Sequence, residues 1–162
     1  MRKQNNIKGW TSEKELDFLY TVACDMNSIA ELGCYLGRST VVLLAGCKGI
    51  VTVIDNWKGS EGLVMEGTER EDFLKNVKGF KNIELIDKDT VDAAKDIGMV
   101  DMVFIDADHS YEAVKKDVET WLPKTRKLIC GHDYDIAEVK KAVDWIELDG
   151  VVGSIWYKYL NK

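Results

Sequence analysis

The chain has 162 residues, of which 46% are hydrophobic and 31% are charged. These values are typical of one globular domain, residues 1–162, and argue against a disordered chain. Acidic residues exceed Lys and Arg by 28 − 22 = 6, so neither nucleic acid nor an anionic membrane is an expected partner. The apolar runs are far shorter than the roughly 18 residues of a membrane span, and no signal-peptide pattern follows Met1. A cytoplasmic location is therefore expected.

Apolar residues alternate between helical and strand spacing along the chain. An N-terminal helical segment, 11–27, begins with the capping-box pattern of Ser12 and Glu15 and precedes the core, 28–162. Strands are predicted at 28–33, 50–54, 83–86, 99–105 and 127–130, and helices at 13–23, 38–47, 69–77, 91–97, 111–122 and 136–146. Residues 56–68 are predicted to form a loop, and 150–160 one or two strands around Gly153.

Strands that alternate with helices predict an α/β fold with right-handed crossovers and a mainly parallel sheet. In such a sheet, ligands bind outside the carboxyl ends of the strands. Acidic residues recur at these ends, at Glu31, Asp55, Asp89, Asp106 and Asp133. This edge of the sheet is therefore the predicted ligand site.

A glycine turn follows the first predicted strand. Gly33 and Gly37 allow a tight turn and a close approach to a ligand, and Ser39–Thr40 begin the next helix, where hydroxyl and N–H groups hold a carboxylate. The spacing, with Tyr35 between the glycines, lacks the G-x-G-x-x-G of nicotinamide sites and the Walker lysine. Asp55 follows Gly33 by 55 − 33 = 22 residues, a placement that suits a ribose diol. The pattern favours a nucleoside ligand without a pyrophosphate, the alternative being a plain glycine-rich connection.

The densest group of metal-capable residues follows two later strands. Carboxylates suit magnesium, and an added histidine favours manganese or a later metal. A histidine in this setting could instead accept a substrate proton or order the loop, and two of the acids could cap the helices that follow them. The group consists of Asp106, Asp108, His109, His132, Asp133 and Asp135. Asp108 or Ser110 is the expected cap of the helix from Tyr111, and Asp135 that of the helix from Ile136.

The segment from Glu31 to Ser39 resembles motif I of class I S-adenosylmethionine (SAM) methyltransferases. It is most similar to the catechol O-methyltransferase-like group and to small sugar or macrolide O-methyltransferases. The resemblance continues through Asp55, Asp89–Thr90, the run 104–112 and His132–Asp133, and covers residues 28–160. It implies a Rossmann-like, doubly wound sheet of seven strands with an antiparallel last strand.

The resemblance also implies roles for individual residues. Implied SAM-binding residues are Glu31, Gly33, Tyr35, Gly37, Ser39, Thr40, Asp55, Asn56, Trp57, Asp89, Thr90 and Asp106. Asp106, His132 and Asp133 would be metal ligands, and Asp106 and His109 would be catalytic. The chain departs from the catechol pattern at two places: His132–Asp133 replaces an Asp-Asn pair, and His109 replaces a lysine base.

The expected function is SAM-dependent O-methylation of a small hydroxylated acceptor, assisted by Mg²⁺ or Mn²⁺. The alternative is a non-catalytic module that binds SAM or a nucleoside. The loop 56–68 is a lid candidate, and four aromatic residues could contact the acceptor: Trp10, Trp57, Tyr111 and Tyr134. Trp121 and Trp145 are expected to pack on helices, and a homodimer face is expected at Trp156 and Tyr157.

Overall fold

The computed structural model describes residues 6–60 and 65–160, in which helices and strands alternate. The helices are α1 (Glu13–Ala23), α2 (Thr40–Gly46), α3 (Glu69–Val77), α4 (Thr90–Ala93), α5 (Tyr111–Trp121) and α6 (Ala137–Val143). The strands are β1 (Ser28–Leu32), β2 (Ile50–Ile54), β3 (Ile83–Ile86), β4 (Val100–Ile105), β5 (Thr125–Gly131), β6 (Gly150–Val152) and β7 (Ile155–Tyr159). None of these helices has the length and apolar character that crossing a membrane requires.

The strands form one mixed sheet in the order β3-β2-β1-β4-β5-β7-β6. The strands from β3 to β5 in this order pair in parallel, and β7 runs antiparallel to both β5 and β6. The predicted α/β, Rossmann-like sheet with an antiparallel last strand is therefore confirmed. The tail forms two strands, joined by a turn in which Gly153 has a φ of 62°.

The helices cover both faces of the sheet, as the doubly wound prediction requires. Residues of α1, α2 and α3 share one buried cluster with side chains from one face of the strands. Residues of α4, α5 and α6 share a second cluster on the opposite face. Successive strand residues point to opposite faces, so Ile29 belongs to the first cluster and Ala30 to the second. Each face thus contributes its own apolar area to stability.

The strand order reverses between β1 and β4, which places the switch point of the sheet between them. Three backbone hydrogen bonds continue the sheet past the strand ends at this point. The N–H of Gly33 donates to Ile54 O (2.8 Å), that of Asp106 to Leu32 O (2.7 Å), and that of His132 to Ile105 O (3.0 Å). Because the strands are parallel, all of the strand-end residues meet at one edge.

Helix α4 is shorter than predicted, with four residues in place of 91–97. Beyond it the chain tightens: the N–H of Lys95 donates to Asp92 O and that of Asp96 to Ala93 O, three residues back. Asp92 and Asp96 also pair with exposed lysines. The charged side chains remain in solvent, so only a short apolar face is left to hold a helix.

The burial of the tryptophan side chains differs from the prediction. Trp121 is fully buried, as expected, whereas Trp145 is 52% exposed and lies on the surface. Trp156 is 1% exposed and packs in the core of the second face. Trp156 therefore does not contribute to the expected dimer face, because the second core already buries its ring. A dimer face at the half-buried Tyr157 stays a prediction.

Candidate active site

A cavity of about 720 Å³ lies at the carboxyl edge of the parallel strands. Its volume is within the range of small-molecule and cofactor pockets. The predicted site residues that line it are Gly33, Tyr35, Ser39, Asp55, Asn56, Asp89, Thr90, Asp106, His109, His132 and Asp133. Four predicted residues are absent from its wall: Glu31, Gly37, Thr40 and Trp57. The described part of the lid candidate, 56–60 and 65–68, contributes Asn56, Gly59, Ser60 and Met65, whereas 61–64 lie outside the described residues.

The glycine turn is fixed by steric contact with β4. Gly33 has a φ of 81°, and a Cβ there would lie 2.3 Å from the carbonyl oxygen of Asp106. No side chain fits, so the turn after β1 presses directly on the end of β4. Gly37 has a φ of 88° and faces Phe73 of α3, 3.0 Å from an added Cβ. Gly37 therefore supports the turn from outside the cavity.

Asp55 is held at the cavity by backbone donors. Its Oδ2 accepts from the N–H groups of Cys34 (2.9 Å) and Tyr35 (3.4 Å), and its Oδ1 accepts from that of Trp57 (2.8 Å). The carboxylate thus has a fixed orientation before a ligand arrives. The Trp57 ring turns away from the cavity, because its Nε1 donates to Asp87 (2.7 Å) and it packs on Phe73.

Glu31 supports the turn from beneath. It is fully buried, and its Oε1 accepts from the hydroxyl of Ser39 at 2.6 Å. Its second oxygen and the hydroxyl of Thr40 have no hydrogen-bond partner among the residues that the structure describes. Burial raises the pKa of Glu31 to about 8, so this carboxyl is mainly neutral at pH 7.

Asp89 and Thr90 lie at the far end of the cavity, where β3 runs into α4. Asp89 caps α4 by accepting from the N–H of Val91 at 3.2 Å. Thr90 donates its hydroxyl to Asp117 of α5, a cavity residue that sequence reasoning missed. One signal could have revealed it: Asp117 continues the buried helical positions Val114, Val118 and Trp121, where a carboxylate is unusual.

At the opposite end, Asp106, His109 and Asp133 form a compact donor group. One ligand atom from each lies within 4.8 Å of the others. The Nε2 of His109 lies 2.9 Å from Asp133 Oδ2. Asp108 does not belong to this group: it accepts from the N–H of Ser110 at 2.7 Å, and Ser110 itself caps α5 by accepting from the N–H of Ala113 at 3.4 Å. The predicted cap at Asp135 is wrong, because α6 begins after Ile136 and has no side-chain cap.

His132 is buried behind this donor group. Its Nδ1 lies 3.1 Å from Asp133 Oδ1 and 3.7 Å from Asp106 Oδ1. Its Nε2 lies 3.0 Å from the hydroxyl of Ser154 and 3.5 Å from Glu15 Oε2. Both ring nitrogens therefore face polar partners, and the backing from Glu15 and Ser154 had no local signal in the sequence.

The ionisable groups at this edge of the sheet shift one another's pKa values. Burial lowers the pKa of His132, but the surrounding Asp133, Asp106 and Glu15 carboxylates outweigh it and raise that pKa to about 9. The hydrogen bond that His109 donates to Asp133 raises the pKa of His109. Burial opposes ionisation of Asp133, yet hydrogen bonds from both histidines hold its pKa well below the usual range. Burial raises the pKa of Asp106 against the opposing charge of His132.

The N-terminal segment Lys8–Thr11 forms one wall of the cavity. Arg38 fastens it by donating from Nε to Thr11 O (2.8 Å) and from Nη1 to Ile7 O (3.1 Å). Trp10 is 66% exposed and stacks on Tyr35, with ring centroids 5.2 Å apart. Sequence reasoning anticipated Trp10 as a contact, but not the arginine that holds its segment.

Tyr111 and Tyr134, the other two aromatic candidates, lie outside the cavity wall. Lys141 lies 4.8 Å from the ring centroid of Tyr111, and Lys140 lies 5.5 Å from that of Tyr134. Their rings therefore make cation–π contacts on the α5–α6 side rather than the predicted acceptor contacts.

Comparison with known proteins agrees with this geometry. The methyltransferase-domain family model matches residues 30–134, more than half of the chain. The uncharacterized protein y4gI of Sinorhizobium fredii (strain NBRC 101917 / NGR234) is 28% identical over 147 residues, which cover 81% of this chain and 16% of that protein. The chain thus spans about a sixth of the length of this curated relative.

Solved structures with the same fold include enzymes with different chemistries. An O-methyltransferase from Bacillus cereus, in complex with SAH, has a TM-score of 0.73 at 17% identity, covering 97% of this chain and 86% of that one. The N-methyltransferase NodS from Bradyrhizobium japonicum WM9 has a TM-score of 0.65 at 12% identity, covering 91% and 93%. A precorrin 8W decarboxylase from Methanobacterium thermoautotrophicum has a TM-score of 0.67 at 15% identity, covering 90% and 77%.

At such low sequence identities, these structural matches show a shared fold and do not identify the acceptor substrate. The motif that begins at Glu31, the strand order and the matched family model agree with one another. The chain belongs to the methyltransferase-domain family and has the fold of class I SAM-dependent methyltransferases.

Proposed function

We propose that this chain is a SAM-dependent O-methyltransferase that acts on a small hydroxylated acceptor with the help of a divalent cation. One observation carries the proposal. A single cavity at the switch point contains the backbone-held Asp55 at one side and the His109–Asp133 pair at the other, with Gly33 pressed on Asp106 between them. A nucleoside cofactor and a proton acceptor can therefore share one enclosed space.

The cofactor would lie along the strand ends. Asp55 would accept from the ribose hydroxyls, which its fixed orientation favours without further ordering. Gly33 would let the methionine part pass close to the backbone, and Asp89–Thr90 would flank the base. Glu31, Thr40, Gly37 and Trp57 would act only as support, because they lie outside the cavity wall.

The donor group fits a hard or borderline cation. Asp106 and Asp133 offer carboxylate oxygens, which suit Mg²⁺ and Mn²⁺. His132 was predicted to be a ligand, but its buried Nδ1 lies 3.1 Å from Asp133 Oδ1, so its ring would donate to that carboxylate rather than bind the cation. It would hold the ligand oxygens in place.

When bound, SAM supplies a methyl group on a positively charged sulfur, and the cation supplies Lewis acidity toward a hydroxyl oxygen. The chain's own residues position the acceptor and remove its proton. Asp133 orients the His109 ring through Nε2, which leaves Nδ1 to accept that proton. The carboxylate also stabilises the resulting imidazolium, in agreement with the raised pKa of His109.

Calorimetric titration of S-adenosylhomocysteine tests the cofactor site. We expect micromolar binding to the wild type, since the cavity already has its donors and acceptors in place. Absence of binding, with Mg²⁺, Mn²⁺ or EDTA, would contradict the proposal. Binding without turnover over a broad panel of phenols, catechols and sugars would favour the non-catalytic module instead.

Asp133→Asn tests the cation site. Loss of one carboxylate charge should weaken Mn²⁺ binding by about 10-fold or more, measured by calorimetry, because oxygen ligands hold the ion electrostatically. Asp135→Asn is the matched control, since Asp135 is exposed and outside the cavity. Equal affinity in both variants would rule out Asp133 as a ligand.

The variant His109→Gln tests whether His109 acts as the general base or as a metal ligand. As a base, His109 should give a kcat loss of about 100-fold or more, with Mn²⁺ and S-adenosylhomocysteine affinities within about 2-fold of the wild type. The wild-type rate should rise with pH through a pKa above 6.5, because only neutral His109 accepts a proton. A fall in Mn²⁺ affinity comparable to that of Asp133→Asn would make His109 a ligand instead.

A further inference from the structure

Trp57 has an unusual backbone conformation beside Asp55, the proposed acceptor of the ribose hydroxyls. Its φ of 59° lies in the left-handed region, which a bulky residue rarely adopts. In this conformation its N–H donates to Asp55 Oδ1 at 2.8 Å, and in the described portion of the chain no other donor reaches that oxygen. A strained conformation of this kind persists only where the surrounding structure holds it. The orientation of Asp55 therefore depends on whatever holds Trp57.

The side chain of Trp57 is held by Asp87, the residue that directly follows β3. The Nε1 of Trp57 donates to Asp87 Oδ1 at 2.7 Å. The ring also packs on Phe73 of α3, with ring centroids 5.6 Å apart. Because the ring is bonded at Nε1 and packed on α3, the backbone that carries it cannot relax to negative φ without breaking these contacts.

Asp87 is itself fixed by Arg70 of α3 and by the sheet. The Nε of Arg70 lies 3.2 Å and 3.1 Å from the two carboxylate oxygens of Asp87, and its Nη2 donates to Oδ2 at 2.9 Å. Such forked, charge-assisted bonds fix a carboxylate in direction as well as in position. The N–H of Asp55 donates to Ile86 O at 3.3 Å, so Asp55 and Asp87 follow neighbouring paired strands. Asp87 thus holds Trp57 from a rigid base.

Asp87 does not line the cavity, whereas Asp55 does. We propose that Asp87 is a positioning residue of the nucleoside site: by holding the Trp57 ring, it keeps the Trp57 N–H on Asp55 and the Asp55 carboxylate turned toward the ribose. This inference rests on the proposed function, since it concerns the orientation of the proposed ribose acceptor. Asp87 acts only through Trp57 and Asp55 and does not touch the ligand.

The test compares S-adenosylhomocysteine with its 2′-deoxyribose analogue, which lacks one of the hydroxyls that would donate to Asp55. Sites built around a hydrogen bond reject analogues that cannot make it. Calorimetry on the wild type should show S-adenosylhomocysteine binding about 10-fold or more tightly than the analogue, the value of a hydrogen bond to a charged group. Equal binding of the two ligands would overturn the inference, because Asp55 would then not recognise the ribose.

Asp87→Ala should change this preference rather than abolish binding. The preference should fall to about 3-fold or less, through weaker binding of S-adenosylhomocysteine, while the affinity for the deoxyribose analogue stays within about 2-fold of the wild type. A merely structural role of Asp87 would weaken both ligands alike and preserve their ratio. An unchanged ratio in Asp87→Ala would therefore contradict the inference.

Trp57→Phe tests the same hydrogen bond from its donor side. It removes Nε1 but keeps an aromatic ring against Phe73, and it should lower the preference as Asp87→Ala does. Because both variants break one bond, the double variant should lose no more than about 2-fold beyond either single variant. Additive losses would show that Asp87 acts independently of Trp57 and would sink the inference.

Asp72→Ala serves as the matched control, because Asp72 also forms an exposed ion pair, with Lys75, and lies outside the cavity wall. Its side chain is 41% exposed, against 45% for that of Asp87. It should keep both affinities of the wild type. The outcomes also separate the two proposals. If the wild type binds neither ligand, the proposed SAM function fails and this inference fails with it. If it binds S-adenosylhomocysteine with the ribose preference and Asp87→Ala retains that preference, only the role of Asp87 fails.

Discussion

At the scale of single residues, the contact between Gly33 and the carbonyl of Asp106 sets the geometry of the proposed site. The left-handed backbone of Gly33 and the absence of a Cβ are both needed there. The same contact brings the end of β1 against the end of β4, where the SAM and cation sites are proposed to meet.

Gly33→Ala should destabilise the protein by more than about 3 kcal/mol, because strain at positive φ adds to a 2.3 Å overlap with backbone. Gly67→Ala is a matched control: its φ is 85°, and an added Cβ would meet nothing within 4 Å. It should cost only about 1 kcal/mol, the strain alone. Urea unfolding measures both, and similar losses in the two variants would mean that the contact with Asp106 is unimportant.

A second single residue, Glu15, joins three parts of the molecule. Its oxygens accept from the N–H and hydroxyl of Ser12 and from the N–H and hydroxyl of Ser154, and it faces His132. Burial opposes its ionisation, but these hydrogen bonds lower its pKa from 4.5 to about 2. The charged form of Glu15 is therefore the stabilising form.

Glu15→Gln should lower the free energy of unfolding at pH 7 by about 2 kcal/mol, the value of hydrogen bonds to a charged group. Because the folded pKa is depressed, this stability is present above about pH 4.5 and is lost as the pH falls toward 2. The difference from the wild type should therefore shrink at pH 3. Asp17→Asn, an exposed charge change on α1, should be nearly neutral. A pH-independent deficit in Glu15→Gln would contradict the account.

At the scale of elements, the sequence predicted the strands, the α1 cap and the strand-end acids. Strand periodicity is local, and parallel topology alone brings residues such as Asp55 and Asp106 to one edge. The direction of Trp57 could not be predicted, because it depends on a positive φ of 59° and on partners in distant elements. Asp117 and Glu15 were missed as site residues for the same reason: their partners lie 27 and 139 residues away.

The N-terminal wall of the cavity is an element-scale feature held by one side chain. Arg38→Ala removes the donors to the carbonyls of Ile7 and Thr11. Amide hydrogen exchange in residues 7–11 should then accelerate by about 10-fold or more, since the segment loses its main tie to the turn. Lys75→Ala, which breaks an exposed ion pair, should leave it unchanged. Unchanged exchange in Arg38→Ala would show that other contacts hold this wall.

At the scale of the whole molecule, the sheet separates two cores that depend on each other through the same strands. Trp156 belongs to the face covered by α5 and α6, and its ring lies so close to Gly131 that a Cβ there would be 2.5 Å away. The hairpin is thus packed against β5, the strand that His132 directly follows. This contact couples the stability of the second core to the geometry of the donor group, which includes Asp133.

Trp156→Ala should destabilise the protein by about 3–5 kcal/mol, the cost of a large cavity in a core. Trp145→Ala, at a site 52% exposed, should cost less than about 1 kcal/mol. Urea unfolding followed by far-UV circular dichroism compares the two. A loss below 1 kcal/mol at Trp156 would mean that the hairpin packs only loosely on the sheet.

The bond between Glu15 and Ser154 also has a consequence for biosynthesis. The two residues are 139 positions apart, so Glu15 emerges from the ribosome long before its partner exists. Helix α1 can form early with its own Ser12 cap, but His132 lacks its backing until the β6–β7 hairpin has been made. A nascent or truncated chain without the hairpin would therefore contain the glycine turn and the donor group of Asp106, His109 and Asp133. It would lack the Ser154 hydroxyl that backs His132 behind that donor group. The proposed cation site should therefore be completed late, after the hairpin has been made.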